Sequence, residues 1–412
     1  MAITLITTPA THTPAYNDQW FTATSTQTAQ PNFQFYVTII VHYHNGTAYT
    51  TSPTLAEPIN TPPDGIMRFN ARSYAENYIK NFIALSQASW SQCLNSILKI
   101  VVNVGERYDA GGPPAVLTIF PGANTTFYVW NASLAFPDFG SAYNVSNYVA
   151  VNANPFPILN DYPDIRASVY SQNRLYIIAE SDNVIQKARV HSTDGFGATF
   201  FDIGNPFLAS GNWYDRYICL NVSPSRLAAL GGAGWLGVPG TTYSIDLYNN
   251  AGVVKKSISY SYSDVCSKFF KYQQIYLNTK GAFDTMFFEM VSEEEHEATR
   301  TKVSHTPYRD PAGTGAMTYQ PSQATTFINS VKENKSLRIR TDWITETQSP
   351  LLKDLVFSPQ GYIQEVQGSA SVYYAANPVE SKYARKRHFN GKLFNLEVNI
   401  ELAYSSFRQS GV

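Results

Sequence analysis

The stretch from Leu337 to Gln364, LRIRTDWITETQSPLLKDLVFSPQGYIQ, constrains this chain more than any other, because a strand, a capped helix and a second strand can all be read from it. Leu337 and Ile339 alternate with Arg338 and Arg340, the period-two pattern of a half-buried strand. Two helix starts compete. Thr345 with Gln348 has the form of a capping box, while Ser349-Pro350 offers a capping hydroxyl followed by proline at the first helical position. Leu351, Leu352, Leu355 and Val356 then recur at helical spacing, and Ser358-Pro359 ends the helix because the residue before proline avoids the α region. Nothing in the segment has a catalytic pattern. It reads as a brace, with its helix packed on the C-terminal sheet and Trp343 anchoring the turn.

The rest of the chain is dominated by strand patterns. Residues 3–8 and 20–26 read as strands, and Asn32 to His44 is the longest candidate, with Phe33, Phe35, Val37 and Ile39 on one face and the hairpin signal Asn45-Gly46 behind it. Residues 48–65 hold four prolines and read as a loop; Phe69 to Phe82 places Tyr74, Tyr78 and Phe82 at helical spacing. Strands follow in the middle of the chain, with hairpin turns expected at Thr193-Asp194-Gly195, Asn249-Asn250 and Lys280-Gly281. Near the C-terminus, Leu393, Asn395, Glu397, Asn399 and Glu401 alternate with Phe394, Leu396, Val398, Ile400 and Leu402, after a turn at Asn390-Gly391. The expected class is mainly β: several β-sandwich or immunoglobulin-like domains with a few short helices. The expected division is an N-terminal β-sandwich at 1–120, a middle β-rich region at 121–335 with an exposed arm near 292–319, and a C-terminal strand–helix–strand with an antiparallel sheet at 336–412.

Charge and composition narrow the partners. Thirty Lys and Arg against 31 Asp and Glu leave a formal net charge of -1, so no general field draws nucleic acid or an anionic membrane. Charged residues make up 15%, well below the roughly 25% of ordinary soluble domains. Tyr (28) and Phe (24) are abundant, which suits surfaces buried against partners, where Tyr is enriched and Lys, Glu and Asp are depleted. Cys93, Cys219 and Cys266 are few, distant and odd in number, so they read as core residues rather than a disulfide or zinc set. No basic region followed by an apolar run opens the chain, and no apolar stretch is long enough to span a bilayer, so neither a signal peptide nor a membrane segment is expected.

Motifs that carry chemistry fail in their context. Gly232-Ala233-Gly234-Trp235-Leu236-Gly237 matches a dinucleotide fingerprint, but SPSRLAAL before it is not a buried strand and Val238-Pro239-Gly240 after it blocks the helix that would hold a pyrophosphate. His42 and His44 share a strand face without a third ligand, and His296 within EEEHE lacks the shaped oxygen loop that hard cations need. No cofactor is expected, and no nucleophile, paired-carboxylate or metalloprotease pattern marks an enzyme. Lys382, Arg385, Lys386 and Arg387 form the only basic cluster. An interface with the acidic Glu293, Glu294, Glu295 and Glu297 of a neighbouring copy fits them as well as plain solvation does, and both rank ahead of a nucleic-acid backbone.

Short motifs spread over most of the chain carry a resemblance. Pro14-Ala15-Tyr16-Asn17-Asp18, Phe21-Thr22-Ala23-Thr24-Ser25 and Ala29-Gln30-Pro31-Asn32-Phe33 resemble the opening of structural proteins from tailed bacteriophages of Bacteroidota, crAss-like phages included. Tyr276-Leu277-Asn278 through Gly281-Ala282-Phe283-Asp284-Thr285 is similar to their mid-chain signature. Thr341-Asp342-Trp343-Ile344-Thr345-Glu346, Leu352 to Pro359 and Lys392 to Leu396 are similar to their C-terminal one. The resemblance implies a non-enzymatic tail, collar or baseplate subunit of a virion, made in the host cytoplasm. It implies homo-oligomeric rings and contacts with other tail or portal-proximal proteins. The competing expectation is a β-sandwich protein that grips glycans or host-surface polymers through Trp130, Trp213 and Trp235.

Overall fold

The computed structural model describes the chain apart from residues 1–2, 46, 82, 84–87, 110–116, 140–142, 162–165, 168–170, 182–183, 193–199, 209–210, 232–241, 263–271, 305–307, 310–313, 316–317, 320–325, 342, 344–351, 368–369, 381, 384–394 and 409–412. The described residues form many strands and four short α-helices, a mainly β fold as the patterning predicts. They divide into two compact units: residues 1–265 with 278–284, and residues 266–277 with 285–412.

The first unit contains two sandwich-like cores. Alternation in FQFYVTIIV buries Phe35, Val37, Ile39 and Val41 on one face of the Gln34–His44 strand. That strand lies in a six-stranded sheet beside Ile97–Asp109, and the three-stranded sheet of Ile3–Thr7, Trp20–Ser25 and Ile66–Asn70 contributes Phe21, Met67 and Phe69 to the same core. Asn45 closes the hairpin to Tyr49–Thr51, its Oδ1 accepting from the backbone N–H of Thr47 and Ala48. Residues 48–65 differ from the expected loop, since Leu55–Asn60 pairs with Gln34–Ile39. Its Pro58 is tolerated because a strand at a sheet margin need not donate from every residue. The Phe69–Phe82 expectation shortens to a helix at Arg72–Tyr78, with Phe69 left in the preceding strand and Tyr74 and Tyr78 packed on the core.

The second core joins a four-stranded and a five-stranded sheet. Leu175, Ile177, Ile218 and Leu220 come from the first, and Ala188, Val190, Ile245 and Leu247 from the second. Asn249 makes the expected turn, its Oδ1 accepting from the N–H of Ala251 and Val253. Cys93 and Cys219 are buried free thiols, while Cys266 and the Thr193-Asp194-Gly195 turn lie outside the described residues.

Residues 278–284 return to the first unit as a tight turn. Gly281 has φ +93°, and a Cβ there would meet the Asn131 carbonyl oxygen at 2.2 Å, so only glycine fits. Trp130 Nε1 donates to the Lys280 carbonyl at 3.0 Å and the Tyr217 hydroxyl to that of Gly281 at 2.7 Å. Beneath the turn Asp284 is buried and accepts from Asn278 Nδ2 at 2.7 Å, Asn160 Nδ2 at 2.8 Å and the Asp161 backbone N–H at 3.1 Å. Desolvation, and then the neighbouring Asp161 carboxylate, push the Asp284 carboxyl up to about 7 despite those donors.

The second unit is built on a seven-stranded sheet in the order Phe283–Phe288, Tyr272–Leu277, Gly361–Gln367, Ala370–Pro378, Glu397–Arg408, Thr326–Arg340 and Glu293–Ser304. The helix read from the sequence spans Leu352–Phe357 and packs Leu352, Leu355 and Val356 against Leu337, Ile339, Ile363, Val398 and Ile400. Burial of those three apolar side chains contributes about 1.5–3 kcal/mol each. Leu351 and both candidate caps lie outside the described residues. Trp343 is 56% exposed, so burial does not make it the anchor expected of it; the brace rests on the helix's aliphatic side chains.

Candidate assembly edge

The acidic run Glu293, Glu294, Glu295 and Glu297 opens a 12-residue strand, Glu293–Ser304, in which every residue is exposed. β-Branched Thr299, Thr301 and Val303 favour extended backbone in its second half. The ladder with Thr326–Arg340 runs from Glu293 opposite Arg338 to Ser304 opposite Thr326. The ladder matches charge as well as register. Lys335 Nζ lies 2.7 Å from Glu294 and Arg338 lies 3.6 Å from Glu293, so basic residues of the neighbouring strand offset part of the acidic run. The Lys335 hydrogen bond holds the Glu294 carboxyl below the usual range. His296 bridges Glu294 at 2.9 Å and Glu333 at 2.8 Å through its two ring nitrogens. One strand further in, Glu397 sits between Arg338 and Arg340; partial burial opposes its charge, but the two guanidiniums outweigh that and lower its pKa.

Thr326–Arg340 is the one strand partner of Glu293–Ser304 among the described residues, which leaves the outer backbone row of the strand as a sheet edge. Glu295 and Glu297 in its first half, and Arg300 and Lys302 in its second, make no ion pair among the described residues. Of the basic cluster, for which contact with the acids of a neighbouring copy and plain solvation are equal readings, only exposed Lys382 is described; Arg385, Lys386 and Arg387 lie outside the described residues. The sequence reading missed Arg300 and Lys302, whose signal was present as a sign change within one strand-length segment, EEEHEATRTKVS.

The remaining candidates are scattered. Trp130 is buried and its indole N–H is used inside the fold, which corrects the reading of it as a glycan platform: no ring face is open to a sugar. Trp213 is half-buried among Tyr49, Tyr128 and Tyr214, with ring centroids 5.5, 6.3 and 5.7 Å away. Trp235 and the glycine motif around it lie outside the described residues, and the segment before them is the Pro224–Gly231 helix. His44 is buried, with Nδ1 3.0 Å from Asn95 Oδ1, and no group of three or more metal-ligating side chains occurs among the described residues. On the second unit's sheet, an irregularity in the ladder between Asn334 and Ser336 borders an open depression of about 300 Å³. Lys332, Asn334, Asn377, Glu401 and the 47% exposed Tyr404 line it.

No protein-family profile matches this chain, and no curated protein matches it.

Proposed function

We propose that this chain is a non-enzymatic structural subunit of a phage virion, a ring-forming component of the tail, collar or baseplate. The observation that carries the reading is the Glu293–Ser304 strand, exposed along its whole length at the edge of a seven-stranded sheet. An edge strand with no second strand partner among the described residues offers its outer backbone donors and acceptors to another chain, and its charged side chains restrict which chains can pair there. The low charge content, the abundance of Tyr and the resemblance spread along the sequence support the same reading. Native mass measurement of the purified protein across a concentration series tests it. A closed oligomer of fixed stoichiometry is expected; a monomer at all concentrations that is also absent from purified virions overturns it.

The depression beside Tyr404 favours glycan or host-surface binding as a second reading. It pairs an exposed aromatic ring with amides and charged groups able to hydrogen-bond sugar hydroxyls. Glycan-array binding that disappears in Tyr404→Ala with assembly intact would select it; no glycan binding by the wild type rules it out.

A further inference from the structure

We infer that the partner of the Glu293–Ser304 edge is the same strand of a second copy, paired antiparallel about a two-fold axis through Ala298. The inference rests on the assembly reading of that strand and adds the identity and register of its occupant. Two copies of one strand, joined edge to edge by a two-fold axis, run antiparallel and keep matching faces together. Acids occupy the first half of the strand and bases the second, so antiparallel pairing sets the acidic half of each copy against the basic half of the other.

Register follows from which residues then stand opposite. Centred on Ala298, the pairing puts Glu294 opposite Lys302 and diagonal to Arg300, His296 opposite Arg300, and Glu295 and Glu297 opposite threonines. It is the register that pairs an acid with a base and sets no two acids, and no two Arg or Lys, directly opposite. Centring on Glu297 or on Arg300 sets like charges directly opposite each other, which is destabilising. Centring on Thr299 leaves no acid opposite a base. Charges on an edge strand ordinarily guard against indiscriminate pairing; here they leave one favourable self-register. The other margin of the sheet does not compete, because the Phe283–Phe288 strand is buried at five of its six positions. Such a two-fold contact is isologous and closes on itself, joining two subunits or two rings.

Two sets of surface variants of the full chain test this. Ala298→Cys places a thiol directly opposite its own counterpart, where the Cβ atoms of a cross-strand pair come as close as about 4.5 Å, the upper end of disulfide reach. Mild oxidation should therefore give a disulfide-linked dimer, whereas Ser304→Cys, away from the axis, should not. Lys302→Glu should weaken self-association about tenfold or more by opposing Glu294, and adding Glu294→Lys should restore it. Oligomers that form without an Ala298→Cys crosslink, or that ignore the charge swap, overturn the two-fold pairing and leave the assembly reading standing. A wild-type chain that stays monomeric overturns both.

Discussion

Two groups of acidic side chains in this chain are held in opposite ways. Asp284 in the first unit is fully enclosed, and three N–H donors fixed by neighbouring backbone converge on it. Its environment opposes its charge, so it titrates near neutrality. Glu293, Glu294, Glu295 and Glu297 in the second unit stand in water on an open edge, partly offset by Lys335 and Arg338. Burial turns an acid into a structural part of a turn, with a large penalty for any mismatch. Exposure makes each acid cheap to change for folding and leaves it available for contact with another molecule.

The comparison can be strained from both sides. Leu355→Asp places a carboxylate in the second unit's core with none of the donors that Asp284 enjoys. It should cost more than about 4 kcal/mol and abolish the cooperative unfolding transition of that unit. Asp284→Ala makes the opposite mismatch. The Asn278 amide cannot turn round, because its Oδ1 already accepts from the backbone N–H groups of Lys280 and Ala282, and Asn160 Oδ1 is similarly committed to the Tyr176 N–H. The loss should be about 2–3 kcal/mol in denaturant unfolding.

Protonation gives a gentler probe. The folded-state pKa of Asp284 is raised above its ordinary value of 3.8 to about 7, so its contribution is fully present below pH 4 and is lost as pH rises through 7. Relative to Asp284→Asn, which cannot titrate, the wild type should lose stability between about pH 4 and pH 7, by an amount on the order of a few kcal/mol. A difference that stays flat over that range would show the carboxyl is not so perturbed. The smallest effect is expected at the edge. Glu294→Gln should change the stability of the isolated subunit by less than about 1 kcal/mol, since its Lys335 and His296 contacts are exposed.

These contrasts also explain what was legible in the sequence. Period-two patterns identified the Gln34–His44 strand and the Val398, Ile400 and Leu402 face, because one sheet face is buried and the other is not. The brace helix was legible from the helical spacing of Leu351, Leu352, Leu355 and Val356 and from the Ser358-Pro359 stop. Leu55–Asn60 was hidden because its pairing depends on a distant strand while its local signal is a proline. The Asp284 clamp was hidden for the same reason: Asn160 lies 124 residues from it, and only the fold brings the two together. At the edge strand the acidic run was visible and its exposure expected. Its in-sheet partners Lys335 and Arg338 required the ladder register to be known.

Amide hydrogen exchange of the Glu293–Ser304 strand, compared between dilute and concentrated protein, tests the central claim most directly. If the chain acts through assembly at this edge, outward-facing amides of the strand should slow several-fold or more as oligomers form, while those of the 278–284 turn stay unchanged. Equal exchange along the strand in monomer and oligomer would contradict the account.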